Sequence, residues 1–463
     1  MAARPASLSG FPEWTPAQRA IELHVIDRLR AAFELHGFAP LETRAVEPLD
    51  QLLRKGETSQ EVYVLRRLQA EAGEPAGDDA LGLHFDLTVP FARYVLENAG
   101  RLVFPFRRYQ IQKSWRGERP QEGRYREFLQ ADIDIVDRDS LPGHYEAELP
   151  LVVGDALAGL PIPPVRIGVN NRKLCEGFYL GLGLPEPAAV LRAVDKLDKI
   201  GPGGVLDLLT GRVGASDSQA KACLALAEIQ ARDDSFAAAV RSLGVSHPLL
   251  DEGLTELAEV VGAAAEHRPG LVEADLRIAR GLDYYTGTVY EAQLRGYERF
   301  GSVCAGGRYD NLASAGKDRF PGVGLSIGVS RLLGLLFGAD ALEISRPVPT
   351  CVLVALSAES ERRAGTRIAA TLRGRGIATE VSPSAAKYGK QIRYAQRRGI
   401  PFVWFPADVT PVAELSTDAV SAGVLDEVKD IRSGEQYRAD PHSWNPPPGD
   451  LHQVITSKER HSS

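Results

Sequence analysis

The chain has 463 residues, 44% of them hydrophobic and 25% charged, with a net charge of -7. That length favours two or more domains, and the composition is that of a globular protein with ample core material. The acidic balance argues against indiscriminate coating of nucleic acid but leaves room for a local basic surface. No run of about eighteen apolar residues points to a membrane span, and no basic-then-apolar leader pattern opens the sequence. The four cysteines (Cys175, Cys223, Cys304, Cys351) are scattered and form no CxxC, so neither a zinc site nor a disulfide framework is expected. A cytoplasmic location and no membrane partner follow as expectations.

In chain order, residues 17–36 form a predicted helix, with Ile21, Val25, Ile26, Leu29, Ala32 and Phe33 at helical spacing and Gly37 as its stop. Strand-like pieces follow around 40–48 and 61–66, then a polar loop at 71–80. "LGLHFDLTVPFARYVLE" gives a strand and a helix. Strands at 107–116 and 125–136 flank an arginine-rich turn. Residues 185–265 carry helical periodicity and read as an inserted helical module. From 274 to 338 strands and glycine-rich turns return, ending in the helical "SRLLGLLFG". Prolines in "EISRPVPT" mark a break. Beyond it come a strand, a helix over 361–375, a strand, a helix over 386–399, a strand and hairpin-like pieces to about 437, the pattern of a small α/β domain. Residues 438–463 mix proline, serine and charge without periodicity and are expected to be disordered.

The chemistry concentrates around the arginine-rich turn. Residues two apart in a strand share a face, so Gln110, Gln112, Ser114 and Arg116 lie together, opposite Tyr109, Ile111 and Trp115. On the second strand Gln130, Asp132 and Asp134 share one face, and Leu129, Ala131, Ile133 and Ile135 the other. A hairpin with its polar side in water is the plain alternative. Against it, the loop carries Arg116, Arg119, Arg124 and Arg126 facing only Glu118 and Glu122, and the planar guanidinium suits phosphate. Three further clusters are weaker singly: "RIARGLDYYTGTVYEA" with Arg280, Tyr284 and Tyr285; "CAGGRYDNL"; and "FPGVGLSIGVSRLLGLLF" with Gly322, Gly324, Gly328 and Arg331. Glycine-rich strands more often mark close packing than a ligand. Separated arginines in glycine-bearing contexts nevertheless suggest one polyanion held at several points, and neither GxxxxGK[ST] nor a helix-opening GxGxxG is present.

The order and wording of these pieces resemble the histidyl-tRNA synthetases, class II aminoacyl-tRNA synthetases. "RGERPQEGRYREFLQADIDI" and "GVGLSIGVSRLLGLL" are similar to the second and third class motifs, and "RGLDYYTGTVYE" and "GGRYDNL" to peptides peculiar to the histidine enzymes. The likeness runs from about residue 10 to 437. It implies an α/β fold: an α+β catalytic domain over 1–345 built on an antiparallel sheet flanked by helices, with the 185–265 helical insertion, and an anticodon-binding α/β domain over 346–437. It also implies a homodimer, ATP with Mg²⁺, L-histidine and histidine tRNA as substrates and partners, and no metal held by protein ligands alone.

The same resemblance implies residue roles. Asp86 and Thr88, with Gln130, would hold the α-ammonium of histidine, and Leu87 between them would count among the histidine-binding residues. Asp134 and Tyr285 would hydrogen-bond the imidazole, with Tyr284 lining the pocket. Arg116 would bind the α-phosphate and the substrate carboxylate, Glu118 would lie near adenine, and Arg124 and Arg331 would hold the β- and γ-phosphates. Arg280 would stand beside the α-phosphate, making Arg116 and Arg280 the catalytic pair. Arg119 and Gln121 would reach the tRNA acceptor end. Between 359 and 398, ten basic side chains against three acids would suit a phosphate backbone.

Several positions depart from the family pattern: Arg44 where the first motif has a proline, Leu129 where histidine or tyrosine is usual, and Ser330 in place of a glutamate. Two rivals remain: a non-catalytic histidine-sensing regulator of the first enzyme of histidine biosynthesis, and a class II synthetase for another amino acid. The terminal domain and Arg280 speak against the first, and Tyr284, Tyr285 and Asp134 against the second.

Overall fold

The computed structural model describes residues 7–53, 61–66, 80–279, 284–407 and 425–458. Arg280 and nearly all of the 71–80 loop lie outside the described residues. The chain divides into two compact units, Met1–Glu13 with His24–Ala339, and Trp14–Leu23 with Asp340–Ser463.

The first unit is organised by a nine-stranded sheet among the described residues. Its order is Ala39–Pro40, Phe106–Trp115, Glu127–Val136, Gly322–Gly328, Cys304–Tyr309, Thr288–Leu294, Val165–Asn171, Val272–Asp275, Gln230–Ala231. All neighbours are antiparallel except the first pair and the Val165–Asn171/Val272–Asp275 pair. On Glu127–Val136 the apolar face is fully closed: Ala131, Ile133 and Ile135 are each 0% exposed. The helices His144–Ala158 and Val329–Gly338 pack against the central strands. Pro150 lies inside the first of these and cannot donate to the carbonyl of Glu146 four residues back. The Tyr290 hydroxyl, from a central strand, donates to that carbonyl instead (2.6 Å).

The region expected as a helical insertion contains the helices Pro187–Val194, Leu197–Leu208, Asp217–Ala227, Ser235–Ser242 and Pro248–His267. Gln230–Ala231 joins the edge of the main sheet, and Pro248–His267 packs on Arg172–Gly181 and His144–Ala158. Gly177 and Gly253 allow that helix crossing, since a Cβ on either would sit 2.2 Å from backbone nitrogen of the other helix.

The second unit holds a five-stranded sheet in the order Thr379–Val381, Val352–Val354, Phe402–Phe405, Asp426–Asp430, Gln436–Ala439, with its first three strands parallel. Helices Arg362–Gly374 and Tyr388–Arg398 accompany it. The expectation of a disordered 438–463 tail is overturned for 438–458. Trp444 packs edge-on against Phe402 and Trp404 (centroids 5.3 and 5.5 Å). Arg375 ties the carbonyls of Pro441 and Trp444, and Ile455–Ser457 pairs antiparallel with Leu342–Ile344. The aperiodic tail buries one large aromatic, and these hydrogen bonds hold it from both sides.

Candidate active site

The hairpin turn exists because Gly123 supplies a left-handed backbone (φ 68°), between a bridge that pairs Gln121 with Arg124. It brings the two polar strand faces into register, Gln112 opposite Gln130, Gln110 opposite Asp132 and Arg108 opposite Asp134. This face is not solvated: Gln110, Ser114, Gln130, Asp132 and Asp134 are all buried. A buried polar face must be hydrogen-bonded or serve a ligand; within the protein Gln110 donates to Thr43 and Asp134 accepts from Tyr309.

A cleft of about 400 Å³ opens on it, lined by Asp86, Thr88, Arg116, Glu118, Arg124, Gln130, Tyr284, Tyr285 and Arg331 among the predicted site residues. Asp132, Ser326, Phe128, Tyr125, Cys304 and Glu61 complete much of the wall. The cleft has two distinguishable ends. At one, Thr88, Asp132, Tyr285 and Ser326 also line a small pocket that contains Asp134 and Tyr309. At the other, Arg124 and Arg331 also line a second cavity, of about 690 Å³, bordered by Gln121, Arg277 and Asp198. Leu87 is fully buried beside the site and contributes its carbonyl to Arg108 (3.3 Å). Arg119 is exposed and belongs to the wall of neither cavity.

Arg116 and Arg331 are oriented by backbone carbonyls. Arg116 Nε donates to the Phe85 carbonyl (3.0 Å), and its guanidinium lies 5.0 Å over the Phe128 ring. Arg331 Nε donates to the Ser302 carbonyl (2.7 Å) and Nη2 to that of Phe300. Arg124 stands 3.9 Å from Glu118. Asp86, just ahead of helix Thr88–Asn98, accepts from the Val89 amide (3.1 Å). Tyr284 and Tyr285 lie with ring centroids 4.2 Å apart. Desolvation pushes the Tyr284 phenol above its ordinary range, so it stays neutral.

Asp134 is more constrained than the sequence suggested. It does not line the main cleft. Its carboxylate pairs with the fully buried Arg108 (2.6 Å) and accepts from the Tyr309 hydroxyl (2.7 Å). Gly324 makes this possible, because a Cβ there would fall 2.0 Å from Asp134 Oδ1. Of the three glycines expected to admit a flat ligand, only Gly328 borders the cleft; Gly322 makes room for the Tyr309 ring and Gly324 for Asp134. Burial raises the Asp132 carboxyl to about 7, with Arg108 opposing and Asp134 and Asp86 adding to the rise.

Sequence reasoning missed Arg108 and Tyr309. Arg108 is one step back along the same alternation as Gln110 and Gln112, so extending the polar face would have found it. Tyr309 stands in the quoted "GGRYDNL", but its link to Asp134 crosses 175 residues of chain. The family departures are absorbed locally: Ser330 Oγ accepts from the Leu129 amide (2.8 Å), and Arg44 pairs with Glu47 (3.0 Å).

Residues 10–332 match the family model described as histidyl-tRNA synthetase. The chain belongs to the histidyl-tRNA synthetase family. Residues 350–405 match the anticodon binding domain. The histidine–tRNA ligase of Micrococcus luteus is 58% identical over 97% of this chain and 98% of its own. That of Cutibacterium acnes is 57% identical over 98% of this chain and 99% of its own. A crystal structure of histidyl-tRNA synthetase from Nostoc sp. PCC 7120 superposes with a TM-score of 0.81 at 32% identity, covering 95% of this chain and 97% of that one.

Proposed function

We propose that this chain, an aminoacyl-tRNA ligase of the histidine class, activates L-histidine with ATP in the cleft on the buried hairpin face and passes it to the 3′ end of histidine tRNA. One observation carries the assignment of the site: three arginines, two adjacent tyrosines, Asp86, Thr88 and Gln130 line a single cleft. Asp86, Thr88 and Gln130 hold the ammonium group. Gln130 suits this because its Oε1 is buried with no hydrogen-bond partner among the described residues, an acceptor awaiting a donor. Tyr284 forms the wall, and Tyr285 with Asp134 receives the imidazole at the end of the cleft that adjoins the small pocket. Asp134 is fit for that because Arg108 and Tyr309 fix its carboxylate.

Arg116 takes the carboxylate and α-phosphate, Arg124 and Arg331 the outer phosphates, and Glu118 the adenine side. Arg280 adds charge at the α-phosphate. The substrate carboxylate attacks the α-phosphorus and pyrophosphate leaves, so no protein nucleophile is required; alignment and fixed positive charge do the work. In the second step a tRNA 3′-terminal hydroxyl attacks the adenylate carbonyl and AMP departs. Among the described residues no three His, Cys, Asp or Glu side chains gather as a metal site. Mg²⁺ would arrive as a companion of the triphosphate, held largely by phosphate and water, and would supply neutralisation of phosphate charge. A pocket that hydrogen-bonds both ring nitrogens rejects analogues by a factor on the order of 10⁴, and no editing domain is needed.

Arg119 and Gln121, both exposed on the hairpin turn, contact the acceptor end. We further propose a homodimer, supported by the exposed Val64, Leu65 and Leu81 on the small sheet of Val46–Pro48, Leu81–Leu83 and Val64–Leu65. A cytoplasmic site of action agrees with four buried free cysteines; among the described residues no helix is long and apolar enough to cross a membrane. Pyrophosphate exchange tested against all twenty amino acids checks the reading. Exchange with histidine alone is expected. Exchange with another amino acid, or none, would point to a different synthetase or to a regulatory relative.

A further inference from the structure

The wall of the cleft contains a chain of hydrogen bonds whose direction matters. Gln130 Nε2 donates to Ser326 Oγ (2.7 Å), and Ser326 Oγ donates to Asp132 Oδ1 (2.5 Å). The three side chains come from two neighbouring strands, Ser326 sitting directly opposite Asp132 in the ladder. A hydroxyl has one proton to give. While Ser326 gives it to the Asp132 carboxylate, it can only accept from Gln130, and the glutamine amide is forced to turn its NH₂ toward the serine. Oε1 is buried and without a partner among the described residues, on a side chain that lines the cleft, and is thereby left as the acceptor.

We propose that Ser326 and Asp132 are positioning residues for substrate binding: through this relay the ionised Asp132 holds Gln130 with its carbonyl presented to the α-ammonium of histidine. The inference rests on the reading of Gln130 as an ammonium ligand and adds what makes it one. Reversal shows why the direction is functional. A protonated Asp132 can donate to Ser326, which then donates to Gln130 Oε1. The amide flips and presents NH₂, a donor, to an ammonium that has only donors to offer. The pocket loses its complementarity without any loss of shape.

The charge state that drives the relay is poised for this. Burial lifts the Asp132 carboxyl to about 7, so it loses its proton as pH rises through neutrality. The charged and titratable groups facing it are Arg108 across the ladder, Asp134 on its own strand, Asp86 ahead of helix Thr88–Asn98, Cys304 on the strand beyond Ser326, and Tyr284. The thiol and the phenol are both pushed upward, out of the range in question. The sign is therefore fixed: relay and ammonium binding are intact above about pH 7 and fade below it.

Pyrophosphate exchange on the full chain, with KM measured separately for histidine and ATP from pH 6 to 8, tests the relay. Ser326→Ala should raise the histidine KM at pH 8 at least threefold, about the worth of one hydrogen bond, with the ATP KM unchanged. Asp132→Asn retains an acceptor for Ser326 but no titration. The ratio of wild-type to Asp132→Asn kcat/KM for histidine should therefore fall by up to about tenfold from pH 8 to 6, and the ratio cancels the titration of histidine itself. A histidine KM in Ser326→Ala that rises less than threefold, an equal rise for ATP, or a flat ratio overturns the relay. Gln130→Met separates the two layers. If it leaves the histidine KM unchanged, the ammonium assignment itself fails; if it raises the KM while Ser326→Ala does not, only the relay fails.

Discussion

Arginine is used in two opposite ways in the two units of this chain. In the first, Arg108 is fully buried against Asp134, and Arg116 and Arg331 are each pinned to a backbone carbonyl. In the second, Arg363, Arg367, Arg393 and Arg397 stand exposed on helices Arg362–Gly374 and Tyr388–Arg398. The pinned guanidiniums have surrendered their rotamer freedom during folding, so a phosphate entering the cleft would meet the charge of Arg116 and Arg331 already in position. The exposed ones keep that freedom, and on a nucleic-acid backbone they would act additively, through counterion release, in a field that salt screens. Not every basic side chain of the second unit belongs to that pool. Arg362 pairs with Glu359 (2.7 Å), Arg375 secures the segment around Trp444, and Arg398 lies 3.5 Å from Glu380. The ten basic residues counted in the sequence thus overstate the free positive surface.

This contrast can be broken at three strengths. The largest effect is expected from Arg108→Met, which strands the Asp134 carboxylate in the interior. Removing one partner of a buried pair should cost about 3–5 kcal/mol of stability, and urea unfolding of the full chain measures it. A loss below about 1 kcal/mol would show that Asp134 has other means of support. Next comes Arg116→Ala. Losing one fixed charge should add roughly 3–4 kcal/mol to the barrier of adenylate formation, seen as a drop of some two to three orders of magnitude in exchange kcat/KM. Because this charge is preorganised inside the cleft, the drop should hardly change with salt. The smallest effect belongs to Arg367→Gln combined with Arg393→Gln. Affinity for tRNA should weaken only modestly at low salt, while the slope of log K against log salt shrinks by roughly one unit per phosphate contact removed. A large salt-independent loss there would erase the distinction between the two arginine classes.

What could be read from the sequence follows the same division between local and distant physics. The hairpin faces were legible because period-two alternation is a property of one strand. Helices 361–375 and 386–399 were expected, and Arg362–Gly374 and Tyr388–Arg398 are found, since amphipathic spacing is local too. The partners of the site residues were not legible. Ser326 with Asp132 and Tyr309 with Asp134 join strands nearly two hundred residues apart in sequence, which no local pattern encodes. Between 137 and 184 no element was read, yet the helices His144–Ala158 and Arg172–Gly181 are there. Pro150 disguises the first, and only the distant Tyr290 hydroxyl shows how its cost is met. Arg280 falls outside the described residues, so its expected role stays with the proposed mechanism.

The pairing of Leu342 with Ser457 has a kinetic consequence. The first and last strands of the second unit lie side by side, so that contact forms only after nearly the whole unit has been synthesised. Contacts so distant in sequence are entropically late. On a ribosome, the basic helices would emerge and collapse onto their five-stranded sheet before Ile455–Ser457 arrived to pair with Leu342–Ile344.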